Sequence, residues 1–250
     1  MAHDVALFIT CLNDQFYPQV GVAVTKILEH FGCRVHFPDA QTCCGRPFFN
    51  DGFHPEAREL AKRFIQIFEP YEYIVTPSAS CCGMVREQFY ELLKNDHAWE
   101  HGLERVASRT YEFVEFLDSV LKVDLSALSL SKPQTVTWHS TCHQRGIGLK
   151  DEGIKLLRQI DNVNFVPLEK SDQCCGFGGA FATNFPAISG AIVEDKVGCI
   201  AATKAEVTIC NDAGCSIHIS AACHRKGVDI KVKHLAELIA EAMGLGVDGW

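Results

Sequence analysis

Besides Cys81-Cys82-Gly83, two stretches of the chain carry adjacent cysteines followed by glycine: Cys43-Cys44-Gly45 in QTCCGRPFF and Cys174-Cys175-Gly176 in DQCCGFGGA. They lie 131 positions apart, and the same offset relates Cys11 to Cys142. One more cysteine follows each pair, Cys81 after TPSAS and Cys215 after CNDAG, at an offset of 134 that a three-residue loop difference absorbs. Thiolates act as nucleophiles, redox groups and soft metal ligands. Buried cysteines do pack as small apolar groups, but packing does not require the same spacing twice. Adjacent cysteines also bridge each other poorly, because neighbouring Cα atoms sit about 3.8 Å apart and a disulfide needs about 4.4–6.8 Å. Each double cysteine therefore reads as a compact clip of two ligands, with the glycine letting the backbone bend close to a bulky centre.

Four soft donors per half suit zinc or an iron–sulfur cluster. Zinc sites usually draw on C-x₂₋₄-C clips, which neither pair has, so the spacing leans towards iron and sulfide. The donors in question are Cys11, Cys43, Cys44 and Cys81 in one half, and Cys142, Cys174, Cys175 and Cys215 in the other.

The elements that must position them alternate short apolar strands with amphipathic helices. VALFIT (5–10) reads as a strand delivering Cys11, VGVAVTKILEHFG (20–32) as a helix, and CRVHFP (33–38) as a strand leading to the first clip. A helix follows from about Pro55, and the strand YEYIVTP (71–77) opens into SASCCG. The second half repeats this order. QTVTWHSTC (134–142) is a strand, DEGIKLLRQI (151–160) a helix and VNFVPLE (163–169) a strand before the second clip. A helix over 186–203 then precedes the strand AEVTIC (205–210). This order predicts an α/β protein of two pseudo-repeated domains, 1–126 and 127–250, each a small parallel sheet of βαβ units with its cysteines at the carboxyl ends of the strands. Loops from adjacent strands converge there, so residues distant in sequence can meet. Residues 122–134 read as the linker.

Composition limits the alternatives. The chain has 250 residues, a net charge of −8 and 47% hydrophobic residues, without a long basic run, so nucleic acid and anionic membranes are poor partners. MAHDVALFIT lacks the pattern of a signal peptide, and no apolar stretch approaches the roughly 20 residues of a membrane span, so a soluble cytoplasmic protein is expected. Thirteen cysteines, an odd number in a chain of this size, argue against a disulfide framework. No flavin or nicotinamide fingerprint is present, and GFGG after Cys175 lacks the Lys-Ser/Thr of a phosphate loop.

The set of motifs resembles the cysteine-rich CCG domain. That domain occurs twice in the B subunit of heterodisulfide reductase and in the iron–sulfur subunits of glycolate oxidase and anaerobic glycerol-3-phosphate dehydrogenase. The stretches TPSASC, WHSTCHQRG and CCGFGG in a stand-alone two-domain chain are most similar to the members that serve L-lactate oxidation. The resemblance implies one or two iron–sulfur clusters, of 4Fe-4S type, held by the eight cysteines named above. It also implies electron transfer within a lactate-to-pyruvate complex, with a ferredoxin-type iron–sulfur partner and a third subunit. One departure matters. The heterodisulfide reductase version ends each motif in C-x-x-C, giving five thiolates, whereas Ser78 and Asp212 stand at the first of those positions here. Disulfide chemistry on a five-thiolate cluster is therefore disfavoured.

Three other readings remain at this point: zinc in one or both sites of an interaction module, another hydroxy acid such as glycolate, and a disulfide substrate. Cys33, Cys199, Cys210 and Cys223 lack repeat partners and read as core residues, and Cys82 as a bystander beside Cys81. His139 and His143 flank Cys142; a supporting role is the commoner one for such histidines, and ligation the alternative. Arg46 and Arg145 suit either a salt bridge or an anionic centre. Asp212 could ligate through oxygen.

Overall fold

The computed structural model describes residues 3–246. The chain divides into two compact units, Met1–Leu121 and Lys122–Trp250. The first runs β1 (Asp4–Leu7), α1 (Cys11–Phe16), α2 (Pro18–His30), β2 (Arg34–His36), α3 (Arg46–Asn50), α4 (His54–Phe68), β3 (Tyr73–Thr76) and α5 (Ala79–Gly83). A π-helical turn then leads to α6 (Phe89–Leu93), α7 (Glu100–Arg109), β4 (Thr110–Glu112) and α8 (Phe113–Glu115). The second has β5 (Ser129–Trp138), α9 (Cys142–Gly146), α10 (Glu152–Leu157), β6 (Asp161–Phe165) and α11 (Ala180–Asn184). It continues with α12 (Pro186–Ala202), β7 (Val207–Ile209), α13 (Ala213–Lys226), β8 (Lys231–Lys233) and α14 (Leu235–Ala242).

Each unit is built on a four-stranded sheet, ordered β2-β1-β3-β4 in the first and β6-β5-β7-β8 in the second, and every pairing is parallel. The expected α/β class and the pseudo-repeat are thus what the chain adopts. Helices cover the central strands, so Val5–Leu7, Ile74–Thr76 and Val207–Ile209 are buried without the alternation of a half-exposed strand. Phe8, Phe64, Phe68 and Phe89 pack edge-on and stacked in the first core, with ring centroids 4.4–5.6 Å apart. Cys44 and Cys81 close the same core cluster, as Cys175 and Cys215 do in the second unit beside Val193, Val197 and Ile219.

Two features differ from the sequence reading. The edge strands β4 and β8 were not foreseen, because three residues without an apolar run carry little periodic signal. Residues 129–134, expected to be linker, instead begin the ten-residue strand β5. Its register against β6 shifts between Ser129 and Gln134, an irregularity that accommodates Pro133.

Candidate metal centres

In both sheets the chain order reverses beside the first strand: β1 lies between β2 and β3, and β5 between β6 and β7. Loops leave such a switch point in opposite directions and open a crevice at the carboxyl ends of the strands. Cys11 opens α1 just after β1, Cys43 and Cys44 lie in the loop after β2, and Cys81 sits in α5 after β3. Cys142, Cys174–Cys175 and Cys215 take the same places in the second unit.

The thiols meet there. Cys11 Sγ lies 3.7 Å from Cys43 Sγ, and Cys44 Sγ lies 3.3 Å from Cys81 Sγ. In the second unit Cys175 Sγ and Cys215 Sγ are 2.9 Å apart, while Cys142 and Cys174 interact through their side chains. No cysteine is in a disulfide. Each quartet is buried on one side and open on the other: Cys44, Cys81, Cys175 and Cys215 are buried, whereas Cys11, Cys142 and Cys174 are exposed.

The glycines have a specific task. Gly45 and Gly176 adopt φ of 85° and 86°, the left-handed region that glycine enters without strain. This turn points the Gly45 N–H at Cys43 Sγ (3.4 Å) and the Gly176 N–H at Cys174 Sγ (3.3 Å). The Phe177 N–H adds a contact to Cys175 Sγ at 3.5 Å. Amide donors favour thiolate over thiol. The first cysteine of each clip is accordingly held low. Cys43 is lowered to about 3, chiefly by the Cys11 thiol and then by Cys44, with the Gly45 amide assisting against burial. Cys174 is lowered to about 2, chiefly by Cys142 and then by Cys175. Cys44 and Cys215 are pushed well up, first by their thiol neighbours and then by burial. One negative charge shared among closely packed sulfurs is an arrangement that a cation relieves.

The remaining candidates separate. Asp212 caps α13, its Oδ1 accepting the Gly214 N–H at 3.2 Å, and Ser78 holds the matching extended position before α5. Arg46 donates to the Ser80 carbonyl and to Gln88 Oε1, both at 2.7 Å, tying the first clip to α5 and the π-helical turn that follows it. Arg145 donates to the Ser140 carbonyl at 2.8 Å. His143 Nδ1 lies 3.7 Å from Cys142 Sγ. Cys82 faces away from its quartet towards the Thr110 carbonyl, 3.9 Å away.

Three further residues lie near the second quartet. Cys210 packs in the core as expected, and there brings its thiol against Cys215, 3.6 Å from the Asp212 carbonyl. His139 is 1% exposed, and its ring lies with the Cys175 and Cys215 sulfurs within a mutual 4.8 Å. Burial pulls its pKa down to about 3, with Lys196 the next cause, so the ring is neutral. Lys196, fully buried on α12, donates to the Lys170 carbonyl. His139 was legible in the sequence as a flank of Cys142, and Lys196 left a signal as a charge on the stripe of Val193, Val197 and Ile200.

The donors fit a soft metal centre: four thiols per unit, already converged, one of them held as thiolate, and in the second unit a buried imidazole beside them. Among the described residues no helix is long and apolar enough to cross a membrane.

Comparison with known proteins agrees with this picture. The cysteine-rich CCG domain model matches residues 5–86 and 136–220, once in each unit. Lactate utilization protein A of Anoxybacillus flavithermus is 43% identical over 238 residues, covering 94% of this chain and 98% of that protein. Its namesake from Geobacillus kaustophilus is 42% identical over 236 residues, with coverage of 94% and 98%. Lactate utilization protein A 2 of Bacillus cereus is 42% identical over 241 residues, covering 96% of this chain and 98% of that one. Among solved structures, a hypothetical protein from Helicobacter pylori superposes with a TM-score of 0.62 at 11% identity. That match covers 97% of this chain and 49% of that one, a likeness of fold alone. The chain belongs to the cysteine-rich CCG domain family, carries the domain twice, and is related along nearly its whole length to lactate utilization protein A.

Proposed function

We propose that each unit holds an iron–sulfur centre on its four thiolates and that the chain carries electrons in the oxidation of L-lactate to pyruvate. The ligands are Cys11, Cys43, Cys44 and Cys81 in the first unit, and Cys142, Cys174, Cys175 and Cys215 in the second. The observation that carries the reading is the convergence of four thiols at the switch point of each sheet, in duplicate, with one edge of each quartet exposed. The substrate comes from the relatives, which are named for lactate utilization.

Bound there, an iron–sulfur cluster supplies one-electron exchange at a potential set by its type, charge, hydrogen bonds and exposure. The protein supplies the rest. Gly45, Gly176 and Phe177 direct amide N–H groups at ligand sulfurs, which lowers the cost of negative charge on them. The buried Cys44–Cys81 and Cys175–Cys215 sides exclude water, and the exposed Cys11 and Cys142 edges give electrons a route to the surface. Lactate oxidation releases two electrons and two protons. Without a flavin or nicotinamide loop in this chain, the first acceptor of those electrons belongs to another subunit. A ferredoxin-type partner and a third subunit in the cytoplasm complete the assembly in this reading.

A second reading is structural zinc. Tetrahedral zinc at about 2.3 Å from each thiolate holds its sulfurs about 3.8 Å apart; Cys11 and Cys43 lie at 3.7 Å, though among the described residues no three donors of the first unit lie within a mutual 4.8 Å. Iron, sulfide and zinc content per chain, measured on protein purified without oxygen from cells able to assemble clusters, separates the two readings. Iron with matching sulfide in both units supports electron transfer. Zinc without sulfide refutes it and makes the quartets structural.

A further inference from the structure

The two units repeat each other closely enough that their differences can be read position by position. Phe8 and His139 are equivalent. Each follows the first strand of its sheet, and each donates its backbone N–H to the third strand, Phe8 to the Val75 carbonyl at 2.8 Å and His139 to the Ile209 carbonyl at 2.9 Å. Ile65 and Lys196 both lie 20 residues after the clip glycine, on the buried faces of α4 and α12. Thr76 and Cys210 both stand five residues before the last cysteine of their quartets. At these positions the second unit carries an imidazole, an ammonium and a thiol in place of a phenyl ring, an aliphatic chain and a hydroxyl.

The histidine carries the argument furthest. Phe8 is fully buried and packs against Phe64 and Phe68, which shows that this position can be filled by an apolar ring. His139 is equally buried, yet among the described residues neither of its ring nitrogens has a hydrogen-bond partner. The Ser171 backbone lies near but does not complete a hydrogen bond. Buried polar groups are nearly always paired, so an orphaned imidazole calls for a partner that side-chain packing does not supply. One ring nitrogen faces the Cys175 and Cys215 sulfurs within 4.8 Å, where that partner would sit.

We propose that His139 places a ring nitrogen on the second centre, making that centre chemically unlike the first. The inference rests on the reading that the quartets hold iron–sulfur centres. In the first unit Phe8 leaves an all-sulfur donor set. In the second, a neutral nitrogen donor stands beside the thiolates, so the donor set is mixed. The buried Lys196 ammonium, whose charge reaches both Cys175 and His139, offsets negative charge on a reduced centre and so raises its potential. The two units then form a potential step, with the second centre the better electron acceptor.

The test uses the full chain, purified without oxygen, loaded with iron and sulfide, and labelled with ¹⁵N only at histidine. Pulsed electron paramagnetic resonance of the reduced protein reads nitrogen coupling, and a redox titration reads both midpoint potentials. The inference predicts imidazole ¹⁵N coupling on one of two reduced centres. His139→Phe, which copies the first unit, abolishes it and shifts one of the two potentials, while the double variant His143→Gln/His218→Gln retains it. If His139→Phe fails to assemble its second centre, the double variant still decides, because coupling retained there is assigned to His139 and coupling lost overturns the proposal. Two centres without ¹⁵N coupling, at potentials unchanged by His139→Phe, refute the proposal and leave the electron-transfer reading intact. A chain that takes up no iron and sulfide refutes both.

Discussion

Replacing the two clip glycines with alanine offers an internal comparison, because both hold the same backbone conformation in different surroundings. At Gly45, φ is +85° and a Cβ would meet Leu60 Cδ1 at 3.4 Å and Ala57 Cα at 3.6 Å, ordinary contacts. Only the left-handed backbone then opposes the substitution, at about 1–2 kcal/mol, reduced by about 0.4–1 kcal/mol of unfolded-state entropy. At Gly176, φ is +86° and the Cβ would lie 2.8 Å from the Ser189 carbonyl oxygen and 3.1 Å from Ile192 Cβ. These atoms belong to α12 and cannot swing aside as a side-chain tip would. Ser189 also donates its hydroxyl to the Gly176 carbonyl at 2.8 Å, so a shift of the helix breaks that bond too. Overpacking of this kind adds about 1–3 kcal/mol. Gly176→Ala should therefore cost about 2–4 kcal/mol against about 1 kcal/mol for Gly45→Ala. Hydrogen exchange read by mass spectrometry resolves local opening in each unit separately. Faster exchange in the 174–190 segment of Gly176→Ala, and a weaker effect around 43–60 in Gly45→Ala, is the expected outcome. Equal costs within about 0.5 kcal/mol, smaller than the steric term, would refute the reasoning.

Two further outcomes follow from the same structure. Cys43→Ser should remove the metal of the first unit and Cys174→Ser that of the second, whereas Cys199→Ser should leave both; metal analysis showing equal loss in all three defeats the ligand assignment. Burial raises the Cys33 thiol from 9.0 to about 11. Its contribution to stability is thus complete below about pH 9 and is lost as pH rises through about 11, with a magnitude of about 1–3 kcal/mol. Denaturant titrations from pH 8 to 11 should show a shallower alkaline decline in Cys33→Ala than in the parent, and identical slopes would show that Cys33 does not titrate with unfolding.

The sequence alone determined the class of the fold and the composition of the quartets. Parallel βαβ order is local information, written in the alternation of short apolar runs with helical stripes, and Pro55 and Pro186 mark the start of equivalent helices at the same 131-residue offset. Matching cysteine offsets in two halves made the eight thiols legible, because a repeated spacing implies a repeated environment. The glycine of each clip was legible as a need for unusual backbone, though not as an amide aimed at sulfur. The edge strands β4 and β8 escaped, since three-residue strands on the rim of a sheet are specified by the neighbour they pair with. The same holds for residues 129–134, which join the sheet only because β6 is there to accept them.

Only the tertiary structure decided which residues beyond the quartets face the centres. His139 and Cys210 each lie just past a strand end, and their direction is set by the path of the strand into the switch point rather than by their own sequence neighbours. Asp212 reads in the sequence as a candidate ligand, and only the start of α13 shows its Oδ1 accepting the Gly214 N–H. Cys81 and Cys82 are chemically alike and adjacent, yet the turn of α5 sends one to the quartet and the other to the β4 backbone. Adjacent positions on a helix point about 100° apart, so the identity of a residue states what it can do, and the packing of its element states to what.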